Sequence, residues 1–207
     1  MYHPKWLQWA NQIRAIAQAG LTYTEGPYDR ERYDQLLDVA AEMFADQTDS
    51  DYATIRELID GDVGYPTPKV DVRGVVFQDN KILLVQEVLD GDRWTLPGGW
   101  ADVYDTPSES VEREIFEESG YETRAVKLLA VYDRQKWPHP PHPNYTYKLF
   151  FLCDLIGGEP TLSLETSGIA WFAEDDLPEL SLSRILPEQI HRLFDHARHP
   201  AWPTDFD

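Results

Sequence analysis

The 207-residue chain sets 37 Asp and Glu against 18 Lys and Arg, a formal net charge of −19. That balance argues against DNA and against anionic membrane surfaces as partners, since both demand clustered cations. An anionic substrate remains open only if something local reverses the sign, and a divalent metal is the usual device.

With 42% apolar residues the chain can build a core. No stretch approaches the roughly 18 apolar residues that span a bilayer, and Met1-Tyr2-His3-Pro4-Lys5-Trp6 lacks the pattern of a signal peptide. Cytoplasm is the expected compartment. The single cysteine, Cys153, lies in Leu149-Phe150-Phe151-Leu152-Cys153 and reads as an inert core thiol.

In chain order, Trp6, Leu7, Trp9, Ala10, Ile13, Ile16 and Ala17 recur at helical spacing, with Gly20 as the expected stop. Asp29 is the expected N-cap of a second helix carrying Tyr33, Leu36, Leu37, Ala40, Met43 and Phe44. A third runs from Ser50 to Gly61. Three short helices need a surface to pack on, either the rest of the chain or a second subunit. The linker Gly64-Tyr65-Pro66-Thr67-Pro68 follows, so residues 1–63 read as a helical extension and 64–207 as the main domain. Strands are expected around Val70–Phe77, Ile82–Val85, Ala125–Tyr132, Tyr145–Leu155 and Ile169–Phe172. Helices are expected over Pro107–Ser119 and Pro187–His196.

The chemically informative stretch is Leu96-Pro97-Gly98-Gly99-Trp100, then Asp105, then Arg113-Glu114-Ile115-Phe116-Glu117-Glu118-Ser119-Gly120-Tyr121. Glu114, Glu117 and Glu118 stand at i, i+3 and i+4, within about 100° of arc on a helix. Like charges at that spacing repel, and Arg113 is the one nearby cation. A hard divalent cation between the carboxylates makes the arrangement favourable. Alone, such a triplet is more often a solvated face; it is the long gapped spacing that singles it out.

This segment resembles the signature box of the Nudix hydrolases, Gly-x5-Glu-x7-Arg-Glu-aliphatic-x-Glu-Glu-x-Gly-aliphatic. Asp105 stands where the family has Glu, and Tyr121 where it has an aliphatic residue. Residues 66 to 200 follow the Nudix order of elements. The first sixty, through Trp6, Ile13, Gly20-Leu21, Tyr23 and Asp29-Arg30-Glu31-Arg32-Tyr33, resemble the helical extension of a subgroup acting on CDP-choline or ADP-ribose. The resemblance implies a Nudix-type α/β/α sandwich with a mixed sheet plus an N-terminal three-helix extension, and a homodimer formed through that extension.

It also implies an Mg²⁺-dependent pyrophosphatase, with Mn²⁺ as a substitute. The substrate would be a small nucleoside diphosphate linked to a group X, foremost CDP-choline or a similar CDP-alcohol. ADP-ribose or a nucleotide sugar is the alternative substrate class. An RNA-processing enzyme and a non-catalytic ligand sensor are the rival functions; the charge opposes the first and the intact glutamates the second. By the same resemblance, Glu114 and Glu118 ligate metal, Glu117 is a further ligand or orienter, and the Gly98 carbonyl is a backbone ligand. Arg113 orients Glu117 and Asp105. Glu165, in Leu164-Glu165-Thr166-Ser167-Gly168, is the late-loop choice for general base, with a box glutamate as rival.

The proline-rich segment Asp133–Asn144 reads as a substrate-recognition loop, its prolines lowering the ordering cost on binding. Arg134 and Lys136 would meet phosphate, His139 or His142 phosphate or base, and Trp137 the quaternary ammonium if X is choline. A rigid surface loop is the plainer alternative.

Overall fold

The computed structural model describes residues 4–142 and 144–207. It divides into two compact units, Met1–Pro68 with Pro141–Tyr145, and Lys69–Pro140 with Thr146–Asp207.

The first unit is three helices, α1 (Lys5–Tyr23), α2 (Pro27–Gln47) and α3 (Tyr52–Asp60). Leu7, Ala10, Ala17, Leu37, Ala41, Phe44, Ile55 and Ile59 form its core. Gly20 does not stop α1, which continues to Tyr23. A Cβ at Gly20 would lie 2.3 Å from Cζ of Tyr33, so the glycine lets the α2 ring press against the α1 backbone. Nor does Asp29 cap α2. Gly26 is the N-cap, Pro27 opens the first turn, and Asp29 sits within it. Asp51 caps α3, its side chain accepting from the Thr54 amide at 2.8 Å.

The second unit carries two four-stranded sheets. One contains β1 (Lys69–Val75), β5 (Tyr121–Asp133), β6 (Thr146–Gly158) and β8 (Asp205–Phe206), in the order β1-β6-β5-β8. It is mixed, since β1 runs parallel to β6 and β5 antiparallel to it. The other is antiparallel: β2 (Phe77–Gln78), β4 (Arg93–Thr95) and β7 (Thr166–Phe172) all pair with β3 (Lys81–Glu87). Asp79 and Asn80, at φ 50° and 58°, form the two-residue turn joining β2 to β3. Both positive angles suit these residue types.

Two helices complete the unit, α4 (Pro107–Ser119) and α5 (Pro187–Arg198). One core joins residues of both sheets to α5, including Val75, Leu84, Leu129, Phe150, Ile190 and Leu193. The other joins Val111 and Ile115 of α4 to Val72, Leu83, Phe151 and Cys153. Tyr121 packs there too, its ring 5.7 Å from Trp171, which explains why a bulky residue is tolerated at an aliphatic position. Cys153 is buried, and burial pushes its thiol up to about 12. Among the described residues no helix is long and apolar enough to cross a membrane. β4 and β8 went unrecognised in the sequence because three- and two-residue strands carry too few alternations to register.

Candidate active site

α4 begins with a capping box: the Thr106 side chain accepts from the Glu109 amide, while Glu109 accepts from the Thr106 amide at 2.9 Å. Ahead of it, residues 97–101 run beside β1. The Val72 amide donates to the Gly99 carbonyl (2.9 Å), Gly74 to Pro97 (2.8 Å), and Ala101 to Val70 (3.0 Å). The Gly98 carbonyl is not one of these ladder acceptors. Gly98 has φ 140°, and a Cβ there would fall 2.0 Å from the Val72 carbonyl oxygen, so no other residue fits. A Cβ on Gly99 would lie 2.8 Å from Glu114 Oε2, so the loop rests directly on the α4 carboxylates.

Arg113 is the hub. Its Nη1 is 2.9 Å from both Glu114 Oε1 and Glu117 Oε2, its Nε 3.1 Å from Asp105 Oδ2, and its Nη2 3.1 Å from Asp102 Oδ2. Asp105 therefore reaches the arginine despite being one methylene shorter than glutamate. Asp102 is a further partner that the spacing did not reveal. Surrounded by carboxylates, the guanidinium holds its proton more tightly than usual, although burial works the other way.

Glu118 is buried and accepts the Gly98 amide through Oε2 at 2.9 Å. Burial raises its acid to about 8 and raises Glu114 as well. Among the described residues no three His, Cys, Asp or Glu side chains already converge as a metal cluster. The donors nonetheless suit a hard divalent cation, being carboxylate oxygens whose charge burial disfavours and a cation would offset.

Glu165 is exposed, but its neighbour Thr166 donates through Oγ1 to the Glu118 carbonyl at 2.9 Å, and its own carbonyl accepts from the Val88 amide. That fastens its loop to the end of α4. Glu87, at the end of β3, is buried and lies 3.4 Å from Arg184, which also reaches Asp90 at 3.2 Å. Asp90 in turn lines an open cavity of about 640 Å³ bounded by Arg93, Pro140, Leu177, Leu182 and Pro187. Neither Glu87 nor Arg184 stood out in the sequence, since each is an isolated charge whose partner is distant along the chain.

Within the segment expected to recognise substrate, Arg134 and His139 are turned inward, at 4% and 3% exposed. Arg134 to Lys136 form a 3-10 turn capped by Asp133, whose side chain accepts from the Gln135 amide at 2.9 Å. The turn directs Arg134 inward, where Nη2 donates to the Pro140 carbonyl at 2.9 Å. His139 has Nδ1 2.8 Å from the Leu182 carbonyl and Nε2 3.3 Å from Gln189. Burial takes its pKa down to about 3, so the ring is neutral. Trp137 is partly buried, its ring 4.6 Å from Tyr132, while Lys136 is exposed. His142 belongs to the helical unit's 141–145 segment and accepts the Asn144 amide at 3.1 Å.

Residues 67–193 match the NUDIX domain, and residues 4–59 match a family described as a UDP-X-like N-terminal oligomerisation domain. The chain is 50% identical over 203 residues to the "Putative ADP-ribose pyrophosphatase YjhB" of Bacillus subtilis (strain 168), covering 98% of this chain and 97% of that one. It resembles the crystal structure of an ADP-ribose pyrophosphatase from Streptococcus suis 89-1591 at 40% identity and TM-score 0.63, over 68% of this chain and all of that one. A UDP-X diphosphatase crystal structure is similar over 98% of both chains, at 33% identity and TM-score 0.63.

Proposed function

The chain belongs to the Nudix hydrolase family, and from that premise we propose that it hydrolyses the diphosphate of a nucleoside diphosphate linked to X, giving a nucleoside monophosphate and phosphorylated X. The observation that carries this reading is the Gly98–Gly99 loop seated on Glu114 and Glu118, with Arg113 holding Glu114 and Glu117 on the same face. Glu114 and Glu118, with the Gly98 carbonyl, would hold Mg²⁺ or Mn²⁺. When bound, that ion supplies Lewis-acid neutralisation of the diphosphate oxygens.

The protein's own part is orientation and proton transfer. Arg113 fixes the directions of Glu114 and Glu117 and braces Asp105 and Asp102 in the approach to α4. Glu165 accepts a proton from the attacking water, its loop tied to Glu118 through Thr166. The cavity beside Arg93 and Asp90 is large enough for a nucleoside or a sugar.

ADP-ribose is the substrate we place first, on the strength of a relative 50% identical over almost the whole chain. CDP-choline, foremost in the sequence reading, moves behind it. A homodimer through the helical unit is supported by the oligomerisation-domain match and by exposed Trp9, Ile16, Leu36 and Val39 on α1 and α2. Phosphate release from ADP-ribose, UDP-sugars and CDP-choline, with Mg²⁺ and coupled to phosphatase, tests the proposal. Turnover of ADP-ribose at the highest kcat/KM supports it, and no turnover of any member sinks it. Light scattering on the full chain tests the dimer.

A further inference from the structure

Behind the Gly98 loop lies a second charged group that the carboxylate chemistry does not use. Asp71 and Arg73 alternate along β1, and Lys148 stands opposite Asp71 on β6. All three are buried, and no apolar explanation suits them. The Arg73 guanidinium donates to Asp71 Oδ1 through Nε (3.0 Å) and Nη2 (2.9 Å), and through Nη1 to the Leu96 carbonyl (3.1 Å). The Lys148 ammonium closes on the other Asp71 oxygen. Arg134 directly follows Asp133, whose register partner Tyr147 adjoins Lys148 on β6.

Arg73 and Lys148 thus share the carboxylate of Asp71, whereas the buried Arg134 donates to the Pro140 and Ser183 carbonyls and to no carboxylate. Glu118 and Glu87 reach Arg73 through their fields, without a hydrogen bond. Shortage of acid does not explain why Arg134 is buried without a carboxylate partner, since the chain has 37 acidic residues and only 18 cations. Burying unbalanced charge is costly, and the cost falls when a counter-charge arrives.

A second, independent observation concerns hydrogen bonding. Arg134 Nη1, Gln135 Nε2 and Trp137 Nε1 are buried donors with no acceptor, and Thr146 Oγ1 at the start of β6 is also unpartnered. They fall in one turn and on the strand that carries Lys148. Buried donors without acceptors are rare, and a ligand with several acceptor oxygens is the chemistry that satisfies them. Position agrees as well. Asp71 bridges to Trp100, and a Cβ at Gly98 would lie 3.0 Å from Arg73 Cα, so the cations back the loop whose other side meets Glu114 and Glu118.

We propose that Lys148 and Arg134 form an anion receptor for the substrate's diphosphate, with Asp71 and Arg73 holding Lys148 in position. The proposal rests on the pyrophosphatase reading and specifies how the negative charge not neutralised at α4 is met.

Inorganic pyrophosphate is the probe, titrated calorimetrically into the EDTA-treated full-length protein. We expect wild type to bind it without metal and Lys148→Met to weaken binding at least tenfold. The same variant should raise KM for ADP-ribose about tenfold with kcat changed less than threefold. Arg134→Gln should act in the same sense and serves if Lys148→Met does not fold. Asp71→Asn keeps an acceptor for Lys148 but removes the competing charge, so it should tighten pyrophosphate binding. A purely structural role would make Asp71→Asn and Lys148→Met weaken binding alike. Unchanged binding and KM in folded Lys148→Met and Arg134→Gln proteins, or equal weakening by Asp71→Asn, overturns the receptor. Metal-free pyrophosphate binding with no turnover of any nucleoside diphosphate would leave the receptor standing and remove the pyrophosphatase; turnover without that binding does the reverse.

Discussion

Helix α4 and the turn from Arg134 to His139 are both rich in ionisable groups, and they arrange them in opposite ways. On α4 the charges are one helical turn apart, share a single arginine and are fixed by local geometry. In the turn Arg134 and His139 are folded inward, and beyond the Pro140 carbonyl their partners lie more than forty residues away at Leu182, Ser183 and Gln189. A side chain's placement was readable where the chain itself supplies the neighbours. It was misread where the neighbours come from elsewhere.

The contrast can be broken most sharply at Glu118. If its carboxylate acts as a metal ligand, Glu118→Gln lowers kcat/KM for ADP-ribose by about a thousandfold, a magnitude typical of lost transition-state charge stabilisation. Its melting temperature should stay within a few degrees of wild type. A smaller loss than tenfold would move the metal site off α4.

Next in size is Glu165→Gln. Loss of a general base costs about 10²-fold or more in kcat, with KM held. An unaltered kcat hands the role to a glutamate of the box. Arg113→Ala should cost about tenfold, through misdirected Glu114 and Glu117, and guanidine added to the assay should restore part of it.

The smallest effect is on stability and belongs to the turn. His139 titrates at about 3 in the folded state and at about 6.5 unfolded. Between those values the unfolded chain binds the extra proton, so stability falls as pH drops below about 6.5. His139→Gln should remove that part of the acid sensitivity, seen as a shallower decline of melting temperature between pH 6.5 and 4. An identical slope in both proteins would mean that the ring is not buried as described.

Most of the architecture was legible. The Pro107–Ser119 helix, its proline opening and its carboxylate face follow from local pattern, as do the long strands. The box was legible because its glycines, its arginine and its carboxylates lie within about twenty residues. Gly20 misled because a glycine has two uses, ending a helix or admitting a neighbour, and only Tyr33 decides between them. Asp71 and Arg73 were passed over because an alternating strand reads as half solvated. The pairing that buries them, with Lys148 on β6, joins positions 77 residues apart. Arg134 and His139 were assigned outward from composition, since prolines and charges together usually mark a loop at the surface.

The lone thiol has a practical consequence. Cys153 sits in the core beneath α4, and its acidity is suppressed by burial, so a thiol reagent meets it only when that core opens. The chain therefore carries a native reporter confined to the α/β unit, blind to fraying of the helical one. The rate at which it is labelled, read with and without Mg²⁺ or pyrophosphate, would measure how far each ligand clamps the catalytic half shut.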